Sequence, residues 1–274
     1  MDWSKTKSIF IGVFLILNIF LYSQYIETYN GNQLADKAQI EKPHKENIDS
    51  KLKEDNITYE SLPATVESAP FISAQVKTYS MSEFPNNSNQ QYKLVSDNKL
   101  IVDFKTPVKL SSTKESNVLQ EFVNQYVYEG ASFVLWEIDE EARTATFFQS
   151  VNDWTVYYNK KAQVKIHWNT KDEVFMYEQT MLEKVKEMER KKKIIPALQI
   201  LQVLYAQQLL QTDDHITFMK LGYMTHVDVT QKQVFAPTWE VHVEKGSGKE
   251  AFYLVNAVDG KVTEPKDLQE VVEE

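Results

Sequence analysis

Leu100-Ile101-Val102-Asp103-Phe104-Lys105 sets Leu100, Val102 and Phe104 on one side of an extended chain and Ile101, Asp103 and Lys105 on the other. Such alternation marks a half-buried strand, because successive side chains of a strand point to opposite faces. Just upstream, residues 92–95 meet it across Ser96-Asp97-Asn98, residue types that favour turns. The pair predicts an antiparallel hairpin.

Downstream the period changes. Ser112-Thr113-Lys114-Glu115 has the S-x-x-E form of a capping box, and Val118, Leu119, Phe122 and Tyr126 follow at helical spacing. Strands are then predicted over 132–138 and 144–151, around the acidic turn Asp139-Glu140-Glu141. The same order returns in the second half. Strands are expected over 155–158, over Val164, Ile166 and Trp168, which alternate with Lys165 and His167, and over 174–182. The basic run 184–193, with Glu183, Glu187 and Glu189 interleaved, reads as a solvated connector. Pro196 suits a first helical position, with Leu198, Leu201, Tyr205 and Leu209 as the apolar stripe. Strands follow near 216–229, 234–243 and 252–257, with turns at Gly246-Ser247-Gly248 and Asp259-Gly260. The fold class is α+β: two lobes, 69–151 and 152–274, each an antiparallel sheet packed with one main helix.

Upstream, residues 27–68 are rich in Asn, Gln, Lys, Glu and Asp and contain Pro43 and Pro63. This stretch carries too little apolar area to offset chain entropy and reads as a polar stalk, with short helical turns around 48–54. Ahead of it stands the most apolar segment of the chain, residues 8–26. Counted from Ile9 to Ile26, about 18 residues at 1.5 Å rise give roughly 27 Å, enough to cross a bilayer with little tilt. A secretory signal is the competing reading, but Tyr22-Ser23-Gln24-Tyr25-Ile26 offers no A-x-A cleavage site. Trp3, Tyr22 and Tyr25 would sit in the two interfaces. Lys5 and Lys7, with no further Lys or Arg before Lys37, hold residues 1–7 in the cytoplasm. The segment is therefore expected to be a single transmembrane helix with everything beyond it outside the cell membrane.

Composition narrows the chemistry. No cysteine is present, which excludes disulfides, thiolate metal sites and thiol catalysis. A net charge of −9 argues against nucleic-acid binding. The five histidines, His44, His167, His215, His226 and His242, show no H-E-x-x-H spacing, and His167 and His242 read as solvated strand residues. Gly246-Ser247-Gly248 lies between strands, where a nucleophile elbow needs strand, turn and helix. With only seven glycines and no G-x-G-x-x-G or Walker motif, a phosphate cradle is not expected. Glu137, Asp139, Glu140 and Glu141 crowd one turn, whereas glycosidase carboxyls stand apart in unlike surroundings. No catalytic residue, metal site or cofactor is expected, and an exported hydrolase is the disfavoured class.

Two resemblances carry the reading further. The N-terminus Met1-Asp2-Trp3-Ser4-Lys5-Thr6-Lys7-Ser8-Ile9-Phe10-Ile11, with Asn18-Ile19-Phe20-Leu21-Tyr22, resembles the YycI (WalI) family of Gram-positive bacteria. So do Ile195-Pro196-Ala197-Leu198, Leu221-Gly222-Tyr223 and Gln233-Val234-Phe235-Ala236-Pro237-Thr238-Trp239. The C-terminal run from Trp239 to Val262 is similar to the strand-and-turn ending of PepSY-type domains. The first resemblance implies an accessory regulator: a protein that acts with YycH on the WalK (YycG) sensor histidine kinase, which governs cell-wall metabolism, largely through transmembrane helices. The residues to watch are then Ser8 and Gly12, a small-x-x-x-small pair, and Asn18, an amide near the middle of the span. At about 100° per residue, Gly12 and Asn18 face different sides, so two partner helices can be met at once. For Asn18 the competing reading is an amide bonded to a carbonyl of its own helix, and for Gly12 the ordinary frequency of glycine in such helices. The alternative function is an extracytoplasmic module that senses a wall fragment or peptide, with the helix as a tether.

Overall fold

The computed structural model describes residues 13–15, 17–23, 45–84, 89–229 and 232–263. The chain divides into two compact units, 1–56 and 57–274. In the first, residues 13–15 and 17–23 are helical, and α1 spans Lys45–Glu54 with Ile48 and Leu52 buried. The helical turns expected around 48–54 are thus part of a longer helix whose apolar residues are shielded from solvent, which a purely solvated stalk would not need. Among the described residues no helix is long and apolar enough to cross a membrane. The remainder of the 8–26 stretch lies outside them.

The second unit is mostly sheet. Its strands are β1 (Thr58–Tyr59), β2 (Ser68–Val76), β3 (Gln90–Ser96), β4 (Lys99–Lys109), β5 (Phe133–Asp139), β6 (Thr144–Val151) and β7 (Trp154–Tyr157). They continue with β8 (Gln163–Trp168), β9 (Glu173–Gln179), β10 (Leu182–Lys193), β11 (His215–Val229), β12 (Lys232–Glu244), β13 (Glu250–Asn256) and β14 (Val262–Thr263). The helices are α2 (Ser116–Tyr126) and α3 (Ala197–Ala206). Hydrogen-bonded neighbours follow the path β10-β2-β12-β11-β7-β6-β8-β9-β4-β3, with β1 on β11, β13 and β14 beside β12, and β5 on β6.

The β3–β4 hairpin forms in the register its alternation predicts, Tyr92 opposite Val102 and Leu94 opposite Leu100. Its inward set, Leu100, Val102 and Phe104, joins Leu119, Phe122 and Val123 of α2 and Phe147, Val164, Ile166 and Tyr177 from the neighbouring strands in one core. A second core gathers Ile72, Ala74, Val156, Leu182, Tyr223 and Phe235. Gln149, buried, joins β6 to the start of β10 by accepting from the Leu182 N–H at 2.7 Å and donating to its carbonyl at 3.0 Å. Both backbone groups would otherwise be buried without partners.

Strand pairing cuts across residue 151. Residues 163–179, expected beside the later strands, pair with β4 and β6, while β2, expected with the earlier ones, pairs with β10 and β12. Order along the chain does not reveal such interleaving, because non-local pairing leaves no mark on local periodicity.

Three local expectations need correction. The 184–193 run is exposed as expected, yet it is the strand β10, paired to β2 with two register shifts. Its alternation is invisible because neither face is covered beyond Val185. The Ser112–Glu115 capping box does not form. Thr113 donates to Asp172 at 3.1 Å, Ser112 accepts from the Lys114 N–H, and α2 begins only at Ser116 with Glu115 as its N-cap. In α3, Pro196 is the N-cap and the buried set is Ala197, Ile200, Leu201 and Leu204, so the stripe turns away from Leu198 and Tyr205. A helix apolar on several sides does not fix its own phase. Leu209 lies past its end, beyond Gln208 in the left-handed region.

Candidate functional site

Where β5 and β7 meet β12 and β13, a cleft of about 460 Å³ opens between aromatic rings. Trp136 of β5 stands edge-on to Tyr158, with ring centroids 5.1 Å apart, and to Phe252 of β13 at 5.9 Å. Tyr158 and Phe252 are stacked, 5.8 Å apart and 9° from parallel. His242 of β12 closes the set, 5.7 Å from Phe252 and 5.3 Å from Phe218.

Departures from regular backbone place these rings. Leu135 pairs with Phe147 and Glu137 with Thr146, so Trp136 is an extra residue on β5. Ile216 pairs with Val243 and Phe218 with His242, which makes Thr217 the extra residue on β11. A bulge of this kind bends its strand and re-aims side chains. Tyr158 sits at φ 49°, a conformation uncommon outside glycine and asparagine. All three residues line the cleft.

His242 also belongs to a polar pair. Glu240 is buried, and its carboxylate meets His242 Nε2 at 2.5 Å. Burial and this carboxylate push the Tyr157 phenol far above its ordinary value, and burial pushes the Tyr158 phenol up as well. The rim bears Glu137, Glu244 and Glu250, with no lysine or arginine among the described lining residues. Glu244 and Glu250 face each other directly across the β12–β13 pair. As acid–base chemistry the cleft offers one histidine–glutamate pair.

His242 is partly covered by rings, yet its side chain stays 41% exposed, close to the solvated strand histidine expected. His167 is half-buried too, with Glu178 at 3.2 Å. Burial draws its imidazole below the usual value. Burial pushes the Glu178 carboxyl up, but the Lys99 ammonium at 2.5 Å outweighs it and holds the carboxyl low. His215 lies within 2.7 Å of Thr58 Oγ1. His44 is outside the described residues, and among those described no group of three His, Asp or Glu is placed to hold a metal. Gly246-Ser247-Gly248 forms the β12–β13 hairpin loop, as expected, with Gly248 at φ 77°. The acidic turn is exposed, and Glu140 pairs with Lys114 at 2.5 Å.

Of the three anchor residues, Ser8 and Gly12 lie outside the described residues. Asn18 is described, and its amide donates to the Phe14 carbonyl one turn back at 3.0 Å. That bond engages one of the two amide hydrogens and leaves the side-chain carbonyl as an acceptor.

The sequence model of the YycI protein family matches residues 35–258. The chain belongs to the YycI family. This is a family of regulatory accessory proteins associated with a membrane-anchored signalling system. The match covers α1, both sheet cores, α2, α3 and every strand of the cleft. Among curated proteins none matches the chain. Among solved structures, an uncharacterized protein from Eubacterium rectale aligns with a TM-score of 0.46 at 10% identity, over 75% of this chain and 88% of its own. YycH from Bacillus subtilis aligns with a TM-score of 0.36 at 12% identity, over 70% of this chain and 50% of its own.

Proposed function

We propose that this YycI protein is a single-pass membrane regulator that, together with YycH, sets the activity of the WalK sensor kinase and through it cell-wall metabolism. The family match over 35–258 carries this reading. Residues 8–26 are its membrane helix and residues 1–7 a cytoplasmic tail. Outside the cell, one sheet-and-helix lobe built around α2 and another around α3 pair with the corresponding parts of YycH. Ser8 and Gly12 supply a close-packing face for one partner helix. Asn18 supplies a hydrogen bond to another, worth on the order of 0.6 to 2 kcal/mol. A bond of that size biases a two-state kinase several-fold, provided the partner helix accepts it in one state only.

Replacing residues 8–26 with an unrelated membrane span tests the mechanism. Wall-gene output is expected to lose its dependence on the protein, and Asn18→Leu with Gly12→Leu to reproduce most of that loss at normal protein levels. Full regulation through the foreign span would transfer the function to the outer domain. The aromatic cleft supports that second reading, in which the outer domain senses a wall fragment or peptide and the helix is a tether.

A further inference from the structure

We propose that the cleft of Trp136, Tyr158, His242 and Phe252 is a binding site for an alkylammonium group, the side-chain end of a lysine or a diamine of similar length. The inference concerns the outer unit alone and stands whether or not the membrane helix carries the regulation.

Ring faces carry the negative end of the aromatic quadrupole, and several rings around one space attract a cation while shielding its alkyl stem from water. Trp136, Tyr158 and Phe252 pack on one another with ring centroids 5.1 to 5.9 Å apart, and all three line the cleft. The charges agree with the rings: Glu137, Glu244 and Glu250 border the cleft. Glu244 and Glu250 are directly opposed on neighbouring strands, an arrangement that repels when nothing lies between the two carboxylates. An ammonium ion between them converts that repulsion into attraction. The volume of about 460 Å³ is in the range of small-ligand pockets and exceeds what a bare ion needs, which favours a cation with an apolar stem. Two strand bulges and one left-handed residue fall on the lining and set the directions of its side chains.

Calorimetric titration of the full chain in detergent or nanodiscs tests this, with Nα-acetyl-lysine methylamide as the probe and the norleucine analogue as its neutral match. Saturable binding of the lysine compound is expected, with the norleucine compound at least about ten-fold weaker. Trp136→Ala is expected to weaken the lysine compound about ten-fold, and Glu250→Gln several-fold. The glutamine variant changes an exposed side chain, so it remains informative where the tryptophan variant misfolds. Cadaverine is the second arm: equal binding makes a free diamine sufficient, while preference for the lysine compound points to a peptide source, and either supports the site. Equal affinity for lysine and norleucine compounds, no saturable binding of any cation, or unchanged affinity in Glu250→Gln with folded Trp136→Ala would overturn it.

Discussion

Trp239→Ala is expected to destabilise the 57–274 unit by about 3 to 5 kcal/mol, the range for emptying a large core site. Trp239 is among the largest fully buried side chains, at 1% exposure, on a strand flanked by β11 through Leu221 and by β13 through Val255. Its indole N–H donates at 2.8 Å to the Ile195 carbonyl, just before the Pro196 cap of α3. Ile195 in turn donates from its own N–H to the Ala257 carbonyl. Truncation therefore leaves a cavity and an unmatched carbonyl at the point where the chain enters α3. In a unit of this size the loss corresponds to a fall of roughly 10 °C in melting temperature. Thermal unfolding followed by circular dichroism checks this. Trp239→Phe is expected to recover most of the packing without the hydrogen bond, separating the two contributions at about 1 kcal/mol for the latter.

Gly222→Val is expected to cost a similar amount by the opposite route, overpacking, with about 3 kcal/mol or more lost. Gly222 lies on β11 beside the short parallel contact with β7. A Cβ there would stand 2.3 Å from the Tyr157 ring and 2.6 Å from the Thr155 carbonyl oxygen. The ring is fully buried and the carbonyl is backbone, so neither yields without moving β7. Urea unfolding of Gly222→Ala, alone and with Tyr157→Leu, divides the effect: the double variant relieves the ring contact and retains the carbonyl one, so partial rescue is expected. Because Tyr158 follows β7 directly, the milder Gly222→Ala is also expected to weaken lysine-compound binding in the cleft.

These two residues show what the sequence made legible. Trp239 and Gly222 both fall in stretches that carry the family resemblance, and the family is confirmed over 35–258. The predicted α+β class meets a structure that is mostly sheet with few helices, and the sheets expected to be antiparallel include two short parallel pairings, β1 and β7 with β11. The β3–β4 hairpin was readable because it has one covered face and turn residues between its strands, whereas β6 is covered on both faces and its bounds were readable from the turn residues at its two ends. β10 was hidden because a strand exposed on both faces has no hydrophobic period. Around His242, whose side chain is 41% exposed as a solvated strand histidine should be, the concealed part was the covered neighbour: β12 is buried on both faces over most of its length, so its polar residues do not all mark a solvated side. Glu240, charged between Trp239 and Val241, was the available signal of a buried polar pair. The cleft itself had no local signature. Its rings come from β5, the end of β7, β12 and β13, and the bulge that re-aims Trp136 is set by pairing with β6, not by the residues around it.

In the proposed mechanism residues 8–26 form the working surface toward the kinase. Site-specific photocrosslinking in living cells, one position at a time along 8–26, tests it most directly. Adducts with WalK and with YycH are expected on different faces, recurring with helical periodicity and including positions next to Gly12 and Asn18. Absence of adducts to either protein along the whole segment, with adducts from outer-domain positions in the same cells, would contradict it.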